Sequence, residues 1–349
     1  MTLYIGVDFH PYQQTICWAD TATGETGFIE LAHDIEKVRA YYASLGEPAI
    51  VGIEASVRAG WFEKMLACLG HKLLVGNPVL IRKRATSRHK SDRRDAELIL
   101  ELLLRNEFPA IWRRSDESNQ ILEVMRLRHS LVRQRTRVYN KLQALARDVG
   151  LPKGRMRSLV FQEMIRSVEM SESGSMSRMQ LFSLMDKLTK QITELEVWLR
   201  KKAAIDRQVQ LLLTQKGVGY LAALATVHTL GDVARFPRLS KQVASFAGLD
   251  PLERSSAGRR SFGSVSKCGS SLLRFQLGQA ANITTRFDAR LKTFYKRLAR
   301  KKLKSVAKTA AARKLLVKLA IMLRDGISAD EFDQRGRSVG NARFSPGLQ

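Results

Sequence analysis

The apolar pattern of this chain changes period once, near residue 110, and that change constrains the fold more than any other feature. Before it, apolar and β-branched residues come in short runs at 3–8, 13–19, 27–31, 49–54 and 71–75. Such lengths suit strands. The first three runs are divided by short polar connections, one of them the turn signal Thr23-Gly24, and read as consecutive antiparallel strands. Helical stretches fall between and after the other runs. Asp34 can cap a helix to residue 44 with Ile35, Val38 and Tyr42 on one face. Residues 60–69 form a second helix, ended by Gly70, and Asn77-Pro78 opens a short third. Ser91 opens a strong helix to about residue 105, with Ala96, Leu98, Ile99, Leu102 and Leu103 apolar. The order βββ-α-β-α-β-α-α predicts a mixed sheet with helices.

After the change, residues 116–147 and 176–202 carry long helical patterns. Leu184, Leu188, Ile192, Leu195 and Leu199 follow at steps of three and four, a coiled-coil-like seam open either to assembly or to packing within the chain. Residues 171–177, rich in Ser, read as a turn or flexible joint. Residues 206–325 read as mostly helical, broken by a polar Gly/Ser-rich stretch at 250–271. The fold class expected is multidomain α/β plus α. An α/β domain spans 1–110, a helical coiled-coil region 111–205 and a mostly helical domain 206–330, and 331–349 is a tail expected to be disordered alone.

Charge narrows the function. The chain carries 59 Lys+Arg against 33 Asp+Glu, a net +26, which points to a polyanionic partner, most often nucleic acid. The excess is uneven: residues 1–80 hold 5 basic and 9 acidic side chains, whereas 251–349 hold 22 and 6. A protein that merely coats phosphate has little reason for an acidic first quarter; a site that needs carboxylates does. No run of about 18 apolar residues marks a membrane span, and the opening residues read as a strand rather than a signal peptide. Three scattered cysteines (Cys17, Cys68, Cys268) suit a reducing cytosol, and the six histidines show no metal spacing.

Four acids stand out. Asp8 ends the first strand and Glu54 the fourth; if those strands are parallel neighbours, both acids reach one sheet edge. Asp92 and Asp95 lie three apart at a helix start and share a face. Three have an ordinary role available: Asp8 in a turn, Asp92 at the helix dipole, Asp95 paired with an arginine; Glu54 follows an apolar strand, where a buried acid needs a partner. Together they suit Mg²⁺ (or Mn²⁺), hard cations that take carboxylate oxygens and assist attack on a phosphodiester.

These segments carry a resemblance. Ile5-Gly6-Val7-Asp8, Gly52-Ile53-Glu54-Ala55-Ser56, Asn77-Pro78 and Lys90-Ser91-Asp92-Arg93-Arg94-Asp95-Ala96 resemble the N-terminal half of the DEDD transposases of the "IS-one-ten" insertion-sequence family, the bridge-RNA-guided recombinases. Ala247-Gly248-Leu249-Asp250-Pro251, Ser255-Ser256, Gly263-Ser264-Val265-Ser266-Lys267-Cys268-Gly269, Leu273-Arg274 and Ala312-Arg313-Lys314-Leu315-Leu316 are similar to its C-terminal transposase domain. The resemblance implies an RNase H-like (RuvC-like) first domain with Asp8, Glu54, Asp92 and Asp95 as metal tetrad, and a serine nucleophile in the second domain. By register that serine is Ser256; because Ala257 separates it from Gly258, Ser255 competes. Ser91 and Lys216 stand where the family usually has Thr and Pro.

A serine hydroxyl needs activation, and no His-Asp pair lies near Ser256 in sequence, so a metal–carboxylate site brought from elsewhere would have to serve. Arg254, Arg259 and Arg260 suit phosphate clamping. Two basic clusters, Arg82, Lys83, Arg84, Arg88 and Lys90, and a second that includes Lys301 and Lys302, are backbone-binding candidates, and Lys267 and Arg274 join them. The segment 214–219, with Lys216, resembles a helix-hairpin-helix turn whose amides could hold phosphate. The family further implies DNA ends and target as substrates, a structured bridge RNA as guide, and a homodimer or homotetramer with shared active sites in the cytoplasm of a bacterium or archaeon. Two rivals stand beside this reading: a metal-dependent junction nuclease using water, and a non-catalytic nucleic-acid binder.

Overall fold

The computed structural model describes residues 3–55, 59–85, 91–253 and 262–342. The chain divides into two compact units, Met1–Arg113 and Arg114–Gln349.

The first unit runs β1 (Leu3–Phe9), β2 (Gln13–Asp20), β3 (Thr26–Ala32), α1 (Ile35–Ala43), β4 (Ala49–Glu54), α2 (Gly60–Cys68), β5 (Lys72–Gly76), α3 (Pro78–Arg82) and α4 (Asp92–Leu104). The sheet order is β3-β2-β1-β4-β5, with β1 antiparallel to β2 and parallel to β4. This is the mixed sheet expected of an RNase H-like fold.

Strand periodicity assigns its two faces. Ile5, Val7, Val51 and Ile53 point to one side, where they are fully buried with Val38 and Tyr42 of α1 and Phe62 and Leu66 of α2. Gly6 and Gly52, paired across β1 and β4, point to the other. A methyl group on Gly6 would strike the backbone of Ala96 and Leu100, and one on Gly52 would strike Ile99 and Leu103. The two glycines therefore let α4 lie almost on the sheet backbone. Ser91 caps α4 by accepting from the Arg94 amide at 3.3 Å. The helix buries Ala96, Ile99, Leu102 and Leu103, with about 1.5–3 kcal/mol contributed by each fully buried Ile or Leu.

The second unit comprises α5 (Asp116–Asp148), α6 (Leu159–Ser167), α7 (Glu172–Ile205), α8 (Arg207–Leu213), α9 (Tyr220–Leu230), α10 (Leu239–Phe246), the hairpin β6 (Pro251–Glu253) and β7 (Phe262–Val265), α11 (Ser271–Phe287), α12 (Ala289–Ala299), α13 (Lys304–Asp325) and α14 (Ala329–Ala342). Three expectations change here. Ser171 is no joint: its hydroxyl accepts from the Gly174 amide and caps α7. The leucine seam does not stand free, because Leu188, Ile192 and Leu199 are buried within the unit. Nor do residues 111–205 form a region apart from 206–330. Ile121, Leu122, Met125, Leu199 and Ala203 share one core with Val209, Leu224, Leu273 and Leu316, so apolar residues from both stretches leave water together.

Of residues 331–349, expected as a tail, those to 342 are described. Residues 329–342 are helical, and the Lys318 ammonium, 9% exposed, reaches Asp333 of α14 at 2.8 Å and Asp288, the cap of α12, at 3.3 Å. Among the described residues no helix is long and apolar enough to cross a membrane.

Candidate metal centre

The face of the sheet that carries Gly6 and Gly52 also carries Asp8 and Glu54, two residues further along each strand. Val7 is registered with Ile53 in the parallel β1–β4 pair, so the two acids end adjacent strands at one edge. Close approach of α4 to this face brings its first residue to Asp8. The His10 Nε2 atom lies 3.0 Å from Asp8 Oδ2 and 3.6 Å from Asp92 Oδ1. Donor atoms of Asp8, His10 and Asp92 all fall within 4.8 Å of one another.

The electrostatics fit a cation. Burial, above all, pushes the Asp8 carboxyl above its usual range; the charges of Asp95 and Asp92 push it the same way, and His10 opposes them by charge and hydrogen bond. A half-buried carboxylate facing two further aspartates is strained without a positive partner. Two carboxylates and an imidazole suit a divalent ion such as Mg²⁺ or Mn²⁺.

Of the four expected acids, Asp8 and Asp92 come together around His10 and Asp95 stands within electrostatic reach. Glu54 lies outside the three-residue group and has the Arg82 guanidinium at 3.9 Å. Contrary to the expectation that no histidine has metal spacing, His10 joins the cluster. The signal was Asp8-x-His10: two residues apart at a strand end, where side chains return to the same face.

The basic candidates separate by what they touch. Arg84 donates to the Glu107 carbonyl and Arg82 faces Glu54, while Lys83 is exposed. Lys216, Lys267, Lys301 and Lys302 are exposed. Arg274 is half-buried and donates to the carbonyls of Ala247 at 3.1 Å and Gly269 at 2.6 Å. It thus ties two of the motif segments together. Gly248, at φ +65°, lies against the backbone of Cys268 and Gly269, where a side chain would not fit. Asp250 accepts from the Ser266 hydroxyl at 2.6 Å. These contacts set the strands β6 and β7, which pair antiparallel on either side of residues 254–261. Ser255, Ser256, Arg254, Arg259 and Arg260 lie outside the described residues, as do Arg88 and Lys90.

Fold and acid cluster define a chain whose first unit is a mixed α/β sheet of RNase H-like type with a candidate divalent-metal site. Comparison with known families adds to this. A transposase model of the DEDD IS110 type matches residues 5–150. A model described as "Transposase IS116/IS110/IS902 family" matches residues 209–296. With both halves present in order, the chain belongs to the IS110 family of transposases. Similar proteins include a "Probable family 20 transposase" of Pseudomonas aeruginosa, 28% identical over 83% of this chain and 88% of its own length. Another is the "Transposase for insertion sequence element IS1111A" of Coxiella burnetii, 27% identical over 71% of this chain and 70% of its own. The "Transposase for insertion sequence element IS1328" of Yersinia enterocolitica is 27% identical over 68% and 71%.

Proposed function

We propose that this transposase moves an insertion sequence by cutting, exchanging and rejoining DNA strands through a serine-linked intermediate, with target choice delegated to a structured guide RNA. The observation that supports the reading is the Asp8–His10–Asp92 cluster at the edge of the sheet, in a chain matched over 5–150 and 209–296 by transposase models.

Asp8, His10 and Asp92 would hold the divalent ion, with Asp95 and Glu54 beside them. When bound, such an ion would supply Lewis-acid stabilisation of the charge on a phosphate oxygen. The Ser256 hydroxyl attacks the scissile phosphate; a Ser Oγ–P bond forms, the ester bond to the leaving sugar oxygen breaks, and that oxygen takes up the proton the serine gives up. The reverse attack, by the hydroxyl of another strand, rejoins DNA and frees the serine. Arg254, Arg259 and Arg260 neutralise the phosphate oxygens. The exposed Lys216, Lys267, Lys301 and Lys302 hold strand backbones without reading bases; the turn at 214–219 acts with them in the manner of a helix-hairpin-helix. A homodimer or homotetramer brings one protomer's acids to its partner's serine.

Incubation with labelled element-end DNA, guide RNA and Mg²⁺ tests this by trapping a protein–DNA adduct. The adduct is expected with wild type and with Ser255→Ala, and is lost with Ser256→Ala. An adduct that survives both changes overturns the serine assignment. Free 5′-phosphate products with no adduct assign the reaction to water.

A further inference from the structure

A cavity of about 830 Å³ opens within the second unit, between α5, α9, the end of α10 and the start of α11. Arg126, His129 and Arg133 line it from one face of α5, at spacings of three and four residues. Arg114 joins them, and no carboxylate lines the cavity among the described residues.

The crowding of cations is physical. Burial lowers the Arg114 guanidinium from its usual range, and the Arg126 charge lowers it further. Arg235 is lowered by burial and then by Arg114. His129 is lowered by burial and by Arg133 and Arg128. Like charges gathered in this way repel, and an anion lodged among them is favoured.

Two other features point into the same space. The 17-residue helix α11 begins at the cavity wall, with Ser270 as its cap and Ser271 and Leu272 in its first turn; the first amides of a helix lack intrahelical acceptors and favour anions. Thr229 also lines it, 1% exposed, and its hydroxyl has no hydrogen-bond partner among the described residues. The buried His129 Nδ1 is likewise without a partner among the described residues. An unpaired buried hydroxyl is costly, and a ligand oxygen would satisfy it. Phe246 supplies an apolar wall, and His129 packs tilted against Phe275 with ring centres 4.5 Å apart.

We propose that this cavity is a phosphate site that grips a backbone phosphodiester of a nucleic acid strand, with the adjoining sugar and base against the apolar wall. Arginine forks match phosphate oxygens, and an aromatic wall suits a nucleotide better than a free ion. The choice of nucleic acid as the source rests on the proposed function.

The full chain provides its own reporter. Cys268 is exposed at the cavity and Cys68 is exposed in the other unit, so their alkylation by iodoacetamide can be compared. Single strands of DNA and RNA of one sequence, and inorganic phosphate, serve as probes. A bound strand is expected to slow Cys268 alkylation at least about fivefold while leaving Cys68 unchanged. The double variant Arg126→Gln/Arg133→Gln, at two exposed positions, should lose that shielding. It should bind about tenfold more weakly, with a salt slope smaller by about 1, the share of one phosphate. Shielding by DNA alone assigns the site to a DNA strand, and by RNA alone to the guide. A double variant that binds as wild type does, with Cys268 unshielded in both, overturns the proposal. If neither strand binds wild type yet inorganic phosphate shields Cys268, nucleic acid is excluded as the source, and the functional reading fails with it.

Discussion

Replacing Gly6 with alanine should damage the metal centre from behind. The added methyl would strike the Ala96 carbonyl oxygen and lie 2.5 Å from the Leu100 amide nitrogen and 3.0 Å from Leu100 Cα. Ordinary contacts between such atoms are about 3.5 Å, so α4 must retreat by about 1 Å; backbone atoms cannot turn aside as a side chain does. Asp92 and Asp95 ride on α4, whereas Asp8 stays on β1, so the retreat opens the distance across which His10 now spans both aspartates. Overpacking of this kind costs about 1–3 kcal/mol, or roughly 4 °C of unfolding midpoint per kcal/mol for a domain of this size. A 1 Å misplacement of reacting groups costs about 10²-fold in rate. Thermal melts with and without Mn²⁺, and strand cleavage on element-end DNA, read the two effects. Gly6→Ala should melt about 4–12 °C lower, gain less from Mn²⁺ and cleave about a hundredfold more slowly. Gly60→Ala is the control, since a methyl there meets nothing within 4 Å. Wild-type melting and cleavage in Gly6→Ala would refute the idea that α4 is seated by that glycine.

Other consequences are as direct. His228 is buried with Ser118 Oγ 3.1 Å from Nδ1 and Asp206 3.6 Å from Nε2; burial lowers its pKa despite the raising effect of Asp206 and Glu117. Its neutral form is favoured in the folded chain, so stability holds above about pH 6.5, the unfolded value, and falls as the pH drops from there to the folded value. Urea melts at pH 7.5 and 5 should show this slope reduced in His228→Gln, His129 supplying the remainder in the same direction; an unchanged slope would sink the assignment. Lys318→Met leaves Asp288 and Asp333 without their cation and should destabilise the second unit by about 2–4 kcal/mol, exposing α14 to protease first. Equal protease resistance in variant and wild type would show that α14 is held by something else. Burial raises the Cys17 thiol to about 11, so at pH 8 iodoacetamide should label Cys68 and Cys268 and spare Cys17 until the chain unfolds.

Much of the first unit could be read from residue patterns, because short apolar runs and capped helices are local signals. Asp34, Asn77 and Ser91 each cap the helix that follows them. What could not be read depends on approach between distant elements. Gly6 and Gly52 look like ordinary strand glycines until α4 is laid across them. His10 looked solitary because the family pattern drew attention to carboxylates, while its partner Asp92 is more than eighty residues away. The leucines after residue 184 have the period of a coiled coil whether their partner is another chain or, as here, this unit's own core. Lys318 was one more base in a basic segment, although it joins the Asp288 cap of α12 to Asp333 of α14.

The central claim is that Asp8, His10 and Asp92 hold a divalent cation. Mn²⁺ titration followed by electron paramagnetic resonance tests it without any DNA. The expected result is a tight Mn²⁺ site in the wild-type chain that competes with Mg²⁺, is lost in Asp8→Asn and Asp92→Asn, is weakened in His10→Ala, and is unchanged in Asp250→Asn. Equal Mn²⁺ binding by wild type and a folded Asp8→Asn chain would contradict the account.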